Sequence, residues 1–317
     1  SFRRFLGMVR IKLCSVPSSF ARRIHMTLER FIDYLLIGIS VGGQYALIAI
    51  GYTMVYGILR LINFAHGDIF MMAGFFMVFL AASIGIYAAI PVTLIATVLL
   101  GVTIERVAYK PLRNAPRMSI MISAIGVSYL LQNLAYYIIG GINQPYPHIP
   151  FLSKTFNAGG MTIKWLYVIT PAVTIALVVL LVLLIRFTKI GMAMRAVSRD
   201  FETAQLMGIN INSVISMTFV IGSFLAGVGS ILFFSDYGTV QPTIGAMPGL
   251  KAFVAAVFGG IGSIPGAVIG AFVIGICQEF IKVNYSTYSD AFTFALLIIV
   301  LIVKPTGLFG EKTSEKV

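Results

Sequence analysis

The segment WLYVITPAVTIALVVLLVLLI, residues 165–185, contains no charged side chain. A helix needs about 20 predominantly apolar residues to cross the hydrocarbon layer of a bilayer, and this run supplies them. Comparable stretches cover Phe31–Leu59, Ile62–Ser83, Ile86–Val107, Met118–Ile139, Val214–Phe234, Leu250–Ile281 and Ala291–Val303. Over all 317 residues the mean hydropathy is +0.95 and only 11% of residues are charged. A soluble fold would leave more apolar surface than one or two cores could bury. The chain therefore reads as an all-α integral membrane protein of about eight transmembrane helices. Residues 26–317 form a single transmembrane domain.

The seventh stretch differs from the rest, because it holds Gly259-Gly260-Ile261-Gly262-Ser263-Ile264-Pro265-Gly266. Four glycines and a proline oppose a continuous helix there. The expectation is a broken or re-entrant segment near 259–266, with two shorter helices and Ser263 capping the second.

The formal net charge of +12 sits between the apolar stretches and does not form the aromatic-interleaved basic face that nucleic acid requires. Arg106, Lys110, Arg113 and Arg117 precede the fourth stretch, while Arg186, Lys189, Arg195 and Arg199 follow the fifth. Both loops are expected in the cytoplasm by the positive-inside rule. Residues 140–163 carry one Lys, Lys154, and are expected outside. Three crossings from Phe31 to Val107 would then place the N-terminus outside, although residues 1–25 hold six Lys or Arg and no acid. Either an early segment is re-entrant, or this basic leader is not the natural start and Met26 is; the second reading is preferred here. The leader lacks the apolar run and cleavage site of a signal peptide, and as a basic segment it could lie on anionic lipid.

Sites of bond chemistry are not visible. No GxxxxGK(S/T) phosphate loop, HExxH or GxSxG occurs. His25, His66 and His148 are too scattered for a triad or metal site, and Cys14 and Cys277 read as free thiols. No catalytic residue, metal or cofactor is assigned to this chain.

Two polar segments stand out. Leu61-Ile62-Asn63-Phe64-Ala65-His66-Gly67-Asp68 crowds four polar or flexible residues into one joint. It reads either as an interhelical turn, with Asn63 capping and Asp68 at a positive helix end, or as a discontinuity matching the break at 259–266 in a second structural half. Residues 196–210 read as a short helix opened by Asp200 or Ser198, with Gly208 in the left-handed position after its end. Two turns are marginal alone in water, so Phe201, Ala204, Leu206 and Met207 should dock on this chain's own core or on a cytoplasmic partner.

The sequence resembles the permease family of branched-chain amino-acid ABC importers, LivH type. The resemblance is carried by QYALIAIGYTMVYG (44–57), INFAHGD (62–68), IERVAYKP (104–111), ISAIG (122–126), LMGIN (206–210), FVIG (219–222), AVFGGIGSIPG (256–266) and KPTG (304–307), and it covers nearly everything from Met26 onward. It implies a bacterial inner-membrane importer assembled with a second, homologous permease and two cytoplasmic ATPase subunits that bind ATP and Mg. It also implies a periplasmic or lipid-anchored binding protein that delivers the amino acid. It further implies that Asp200, Phe201, Glu202, Ala204, Leu206 and Gly208 form a coupling helix toward an ATPase. Gln44, Asn63, His66, Asp68 and Ser263 are candidates for the substrate pathway. The alternatives are a permease for urea or short amides, or an ion-driven transporter or channel. The last usually places ionisable groups at membrane depth, whereas Asp33, Glu105, Glu279, Lys282 and Asp290 lie toward stretch ends.

Overall fold

A computed structural model describes residues 28–310 apart from 114, 159, 160 and 305. The basic leader, Cys14, His25 and Met26 lie outside the described residues. In chain order the helices are α1 (Leu28–Leu59), α2 (His66–Ile84), α3 (Ile86–Ile104), α4 (Arg117–Ile139), α5 (Trp165–Phe187), α6 (Lys189–Arg199), α7 (Phe201–Leu206), α8 (Ile211–Tyr237), α9 (Ala246–Gly259), α10 (Ile264–Tyr285) and α11 (Ser289–Val303). Among the described residues eight spans are long and apolar enough to cross a membrane, as expected, and α9 is a shorter apolar helix beside them. Among the described residues four short strands cap one end. β1 (Gln144–Pro145) pairs antiparallel with β4 (Thr239–Val240), and β2 (Thr155–Ala158) forms a hairpin with β3 (Met161–Lys164).

Helix α1 is the axis of the bundle. Ala46 to Ile50 are fully buried, because α2, α5, α8, α9 and α10 all pack on this helix. Small residues permit the closest approaches. A methyl group on Gly38 would stand 2.8 Å from Ile276 Cα, and one on Gly42 would stand 2.7 Å from Phe272 Cα, so α1 and α10 run antiparallel, nearly backbone to backbone. The pairs Gly222 with Gly51 and Gly229 with Leu47 make α8 antiparallel to α1 as well. Outer helices instead show large apolar side chains on their free faces, such as Tyr129 and Leu130 on α4, Leu180 and Leu183 on α5, and Ile298 and Ile302 on α11. Such faces suit lipid, not water.

Arg106, Lys110, Arg113 and the α6 basic residues share one end of the bundle, called the basic end below. The strands share the other, where Lys164 meets Asp236 at 3.1 Å. Since α1 is antiparallel to α8, which starts at the basic end, α1 begins at the far end. This is the side the crossing count requires.

The break in the seventh stretch is present, and it falls at residues 260–263 between α9 and α10. Ser263 Oγ accepts the Gly266 amide at 3.2 Å, so the expected cap forms. The two helices fold back antiparallel, with Gly259 against Gly266 and Gly270 against Ala255. Leu308 and Phe309 donate backbone amides to the Phe258 and Gly259 carbonyls at 2.9 and 3.0 Å, which brings the segment following α11 to the same level.

The joint at 61–68 is more than a turn. Arg60 takes a left-handed conformation (φ 53) and ends α1, after which residues 61–65 lead the chain back into the bundle. There His66, the first residue of α2, lies against Gly51, two turns above the end of α1. Its counterpart is not the break at 259–266 but the segment 238–245. This segment follows α8 and leads inward to α9. The starts of α2 and α9 then meet: a methyl on Gly67 would lie 2.7 Å from the Gly245 carbonyl oxygen, and one on Gly249 3.0 Å from Gly67 Cα. With 1.5 Å rise per residue, this contact stands about 15 Å above the end of α9. From it α2 runs to the far end and α9 to the basic end, an inverted arrangement of two discontinuous helices.

Candidate functional site

Three of the five pathway candidates gather at this central joint. Asn63 is buried and does not cap α2; its Oδ1 instead accepts the Ala65 amide at 3.1 Å and the Tyr109 hydroxyl at 2.6 Å. Tyr109 reaches inward because α3 continues as one wide π turn over Glu105–Tyr109, which buries both end residues. The His66 ring sits edge-on to Tyr52, with centroids 4.9 Å apart. Asp68, in the first turn of α2, accepts from Gln132 Nε2 of α4 at 2.9 Å. Gln44 lies about two turns nearer the far end of α1, and Ser263 lies at the basic end as a cap, so neither joins the cluster. Asn63 Nδ2, His66 Nε2 and Gln44 Nε2 are buried without a hydrogen-bond partner among the described residues. A buried polar atom left unpaired costs free energy, and each such atom calls for an explanation.

The basic end carries the second set. α6, which the sequence reading did not separate from the loop, is amphipathic and buries Gly191, Met194 and Val197 as one stripe. It ends at Asp200, whose carboxylate accepts the Thr203 amide at 3.1 Å and hydroxyl at 2.6 Å and so caps α7. Ser198 is not the cap; its hydroxyl donates to the Arg195 carbonyl. Gly208 closes the helix with φ 82, a conformation that strains any residue bearing Cβ. Of the four apolar residues expected to dock, only Ala204 is buried; Phe201 is 43%, Leu206 87% and Met207 79% exposed. Glu202 is exposed beside them.

Next to α7 opens a cleft of ≈ 470 Å³ lined by Glu105, Arg106, Lys110, Asn210, Asn212, Ser213 and Ser216. Glu105 is fully buried at its floor, paired with Arg113 and accepting from Ser216 Oγ at 2.9 Å; Arg113 also donates to Asn212. This network locks the end of α3 to the start of α8.

The family of branched-chain amino acid transport system permease components matches residues 34–301. The chain belongs to that family. Its relatives include the high-affinity branched-chain amino acid transport system permease proteins LivH of Salmonella typhimurium, 42% identical over 304 residues, and LivH of Escherichia coli K12, 41% identical over 304 residues. BraD of Pseudomonas aeruginosa is 40% identical over 301 residues. Each alignment covers 90% of this chain and 98% of the relative.

The permease also holds functional candidates that sequence reasoning passed over. Lys251 is buried in α9 and pairs with Asp290 at 2.6 Å. The signal was available, since a lone Lys inside an apolar run is a functional hypothesis in itself. Among the described residues no group of three or more His, Cys, Asp or Glu could hold a metal ion.

Proposed function

We propose that this permease is the membrane subunit of a bacterial inner-membrane ABC importer that moves branched-chain amino acids inward, driven by ATP hydrolysis in two separate cytoplasmic ATPase subunits that bind ATP and Mg. A second, homologous permease completes the passage, and a periplasmic or lipid-anchored binding protein delivers the amino acid. Support comes from the 41–42% identity, over 90% of this chain, to transport-system permeases of that substrate class. The observation that carries the mechanism is α7: a capped helix at the basic end whose apolar Leu206 and Met207 are left uncovered by their own chain. By the positive-inside rule that end faces the cytoplasm, where an ATPase would meet it.

In this mechanism an ATPase gripping α7 moves α6 with it. α6 packs on α1, α5 and α8, so the movement reaches the helices that hold the central joint. Binding shifts such an equilibrium only as far as the two states bind the ATPase differently. The permease itself makes and breaks no bonds. The partly unpaired polar atoms of Gln44, Asn63 and His66 then provide adaptable hydrogen bonding within an otherwise apolar bundle.

Uptake in proteoliposomes carrying the whole complex tests the proposal. Leucine, isoleucine or valine should accumulate only with ATP and loaded binding protein. Uptake driven by an ion gradient without ATP would identify a secondary transporter. ATP-dependent uptake of urea or short amides in place of these amino acids would overturn the substrate class.

A further inference from the structure

Lys251 is a cation inside the membrane-spanning bundle, on a helix that starts at the bundle's middle. Its depth follows from the helices. Counting 1.5 Å per residue from the end of α9, its Cα stands about 12 Å above the basic end, and the side chain adds about 6 Å of reach. Asp290, in the first turn of α11, meets the Lys251 ammonium at that level. Tyr45, Gln278 and Glu279 reach nearly the same level from α1 and α10. Tyr45 OH donates to Gln278 Oε1 at 3.2 Å, and Glu279 pairs with Lys282. These groups form one polar layer across the bundle, toward the end where α10 turns into α11.

Exposure is uneven across this layer. The Lys251 side chain is 9% exposed, but that of Asp290 is 44% exposed. Charges within a membrane-spanning bundle characteristically face its interior or a water-filled cavity. Asp290 sits in the first turn of α11, directly after the exposed residues 286–288 that join it to α10, and its open side lies beside that turn. Beside Lys251, Met247 and Leu250 present apolar side chains that are 40% and 41% exposed.

We propose that Lys251 and Asp290 form a transit site for the zwitterionic end of the amino acid, a reading that rests on the proposed function. The Lys251 ammonium takes the substrate α-carboxylate and the Asp290 carboxylate takes its α-ammonium, so the internal ion pair opens and two new pairs replace it. Met247 and Leu250 then meet the branched side chain. The exchange conserves charge at every stage, and no ion is left unpaired in the membrane. Without substrate the Lys251–Asp290 pair closes on itself, which denies the site to single inorganic ions.

The test uses the complete importer in proteoliposomes with Lys251→Met, Asp290→Asn and the double variant, each normalised to folded complex. Leucine uptake and ATP hydrolysis stimulated by loaded binding protein are measured together. The ratio of leucine moved to ATP hydrolysed should fall about tenfold or more in all three, because each removes at least one of the two charges that the zwitterion must meet. Lys251→Arg and Asp290→Glu should recover part of it. A purely structural pair behaves differently: the double variant leaves no orphan charge, so its ratio and its assembly should return to those of the unaltered protein, and this result overturns the proposal. Loss of uptake only in proportion to lost complex would do the same. Should the unaltered complex fail to move branched-chain amino acids with ATP, the function reading itself falls, an outcome visible before any variant is made.

Discussion

Truncating Leu206 to Ala separates a coupling surface from a simple cap on the permease. Leu206 is 87% exposed, so its side chain contributes almost nothing to the permease core. The change should shift the permease's own stability by no more than about 0.5 kcal/mol. If an ATPase groove covers the residue, Leu206→Ala removes roughly three carbons from that contact at about 0.8 kcal/mol each, about 2.4 kcal/mol in total. Association should then weaken roughly 50-fold. Phe201→Ala should weaken it as well, and Glu202→Lys reverses a charge on the same exposed helix. Ala204 provides the opposite control, since it is 4% exposed and Ala204→Leu must overpack its seat, costing the permease about 1–3 kcal/mol. The assay is recovery of ATPase subunits per folded permease in detergent, with ATP-dependent uptake measured in parallel. Full recovery and full uptake in Leu206→Ala, Phe201→Ala and Glu202→Lys would refute the coupling role of α7.

Cysteines at Arg199 and Asn157, on a background without Cys14 and Cys277, should respond oppositely to an impermeant thiol reagent in intact cells: Asn157→Cys is labelled and Arg199→Cys is not, and the reverse pattern would invert the topology. Ser263→Ala should lower stability by about 1 kcal/mol through the lost cap, with uptake per folded complex retained and Ser263→Asp restoring stability; a drop in uptake without a drop in melting temperature would return Ser263 to the pathway. Gly67→Val places side-chain carbons inside the backbone contact with Gly245, and should destabilise the bundle by about 3 kcal/mol or more, read as lost folded yield and a lower melting temperature. A normal melting temperature for that variant would mean that α2 and α9 do not meet as described.

The spans, the break and the caps at Asp200 and Ser263 were legible in the sequence because each depends on residues close together in the chain. Residues 165–185 are apolar whatever surrounds them. Four glycines and a proline near 259–266 oppose a helix locally. Asp200 and Ser263 each bond an amide three residues away. The positive loops and the crossing count likewise gave the direction of α1 without tertiary information. Tertiary structure decided what depends on distant partners. That residues 61–65 turn back into the bundle, and that their counterpart is 238–245, follows from Gly67 meeting Gly245, two glycines separated by most of the chain. Hydropathy carries no record of such a pairing, since the absence of a side chain looks the same in a turn as at a close helix crossing. Asn63 read as a cap because capping is its commonest local role, and only the π turn that brings Tyr109 beneath it gave it a different partner. The pairing of Lys251 with Asp290 is likewise a matter of which helices share a level in the membrane, and that level is set by packing over the whole bundle.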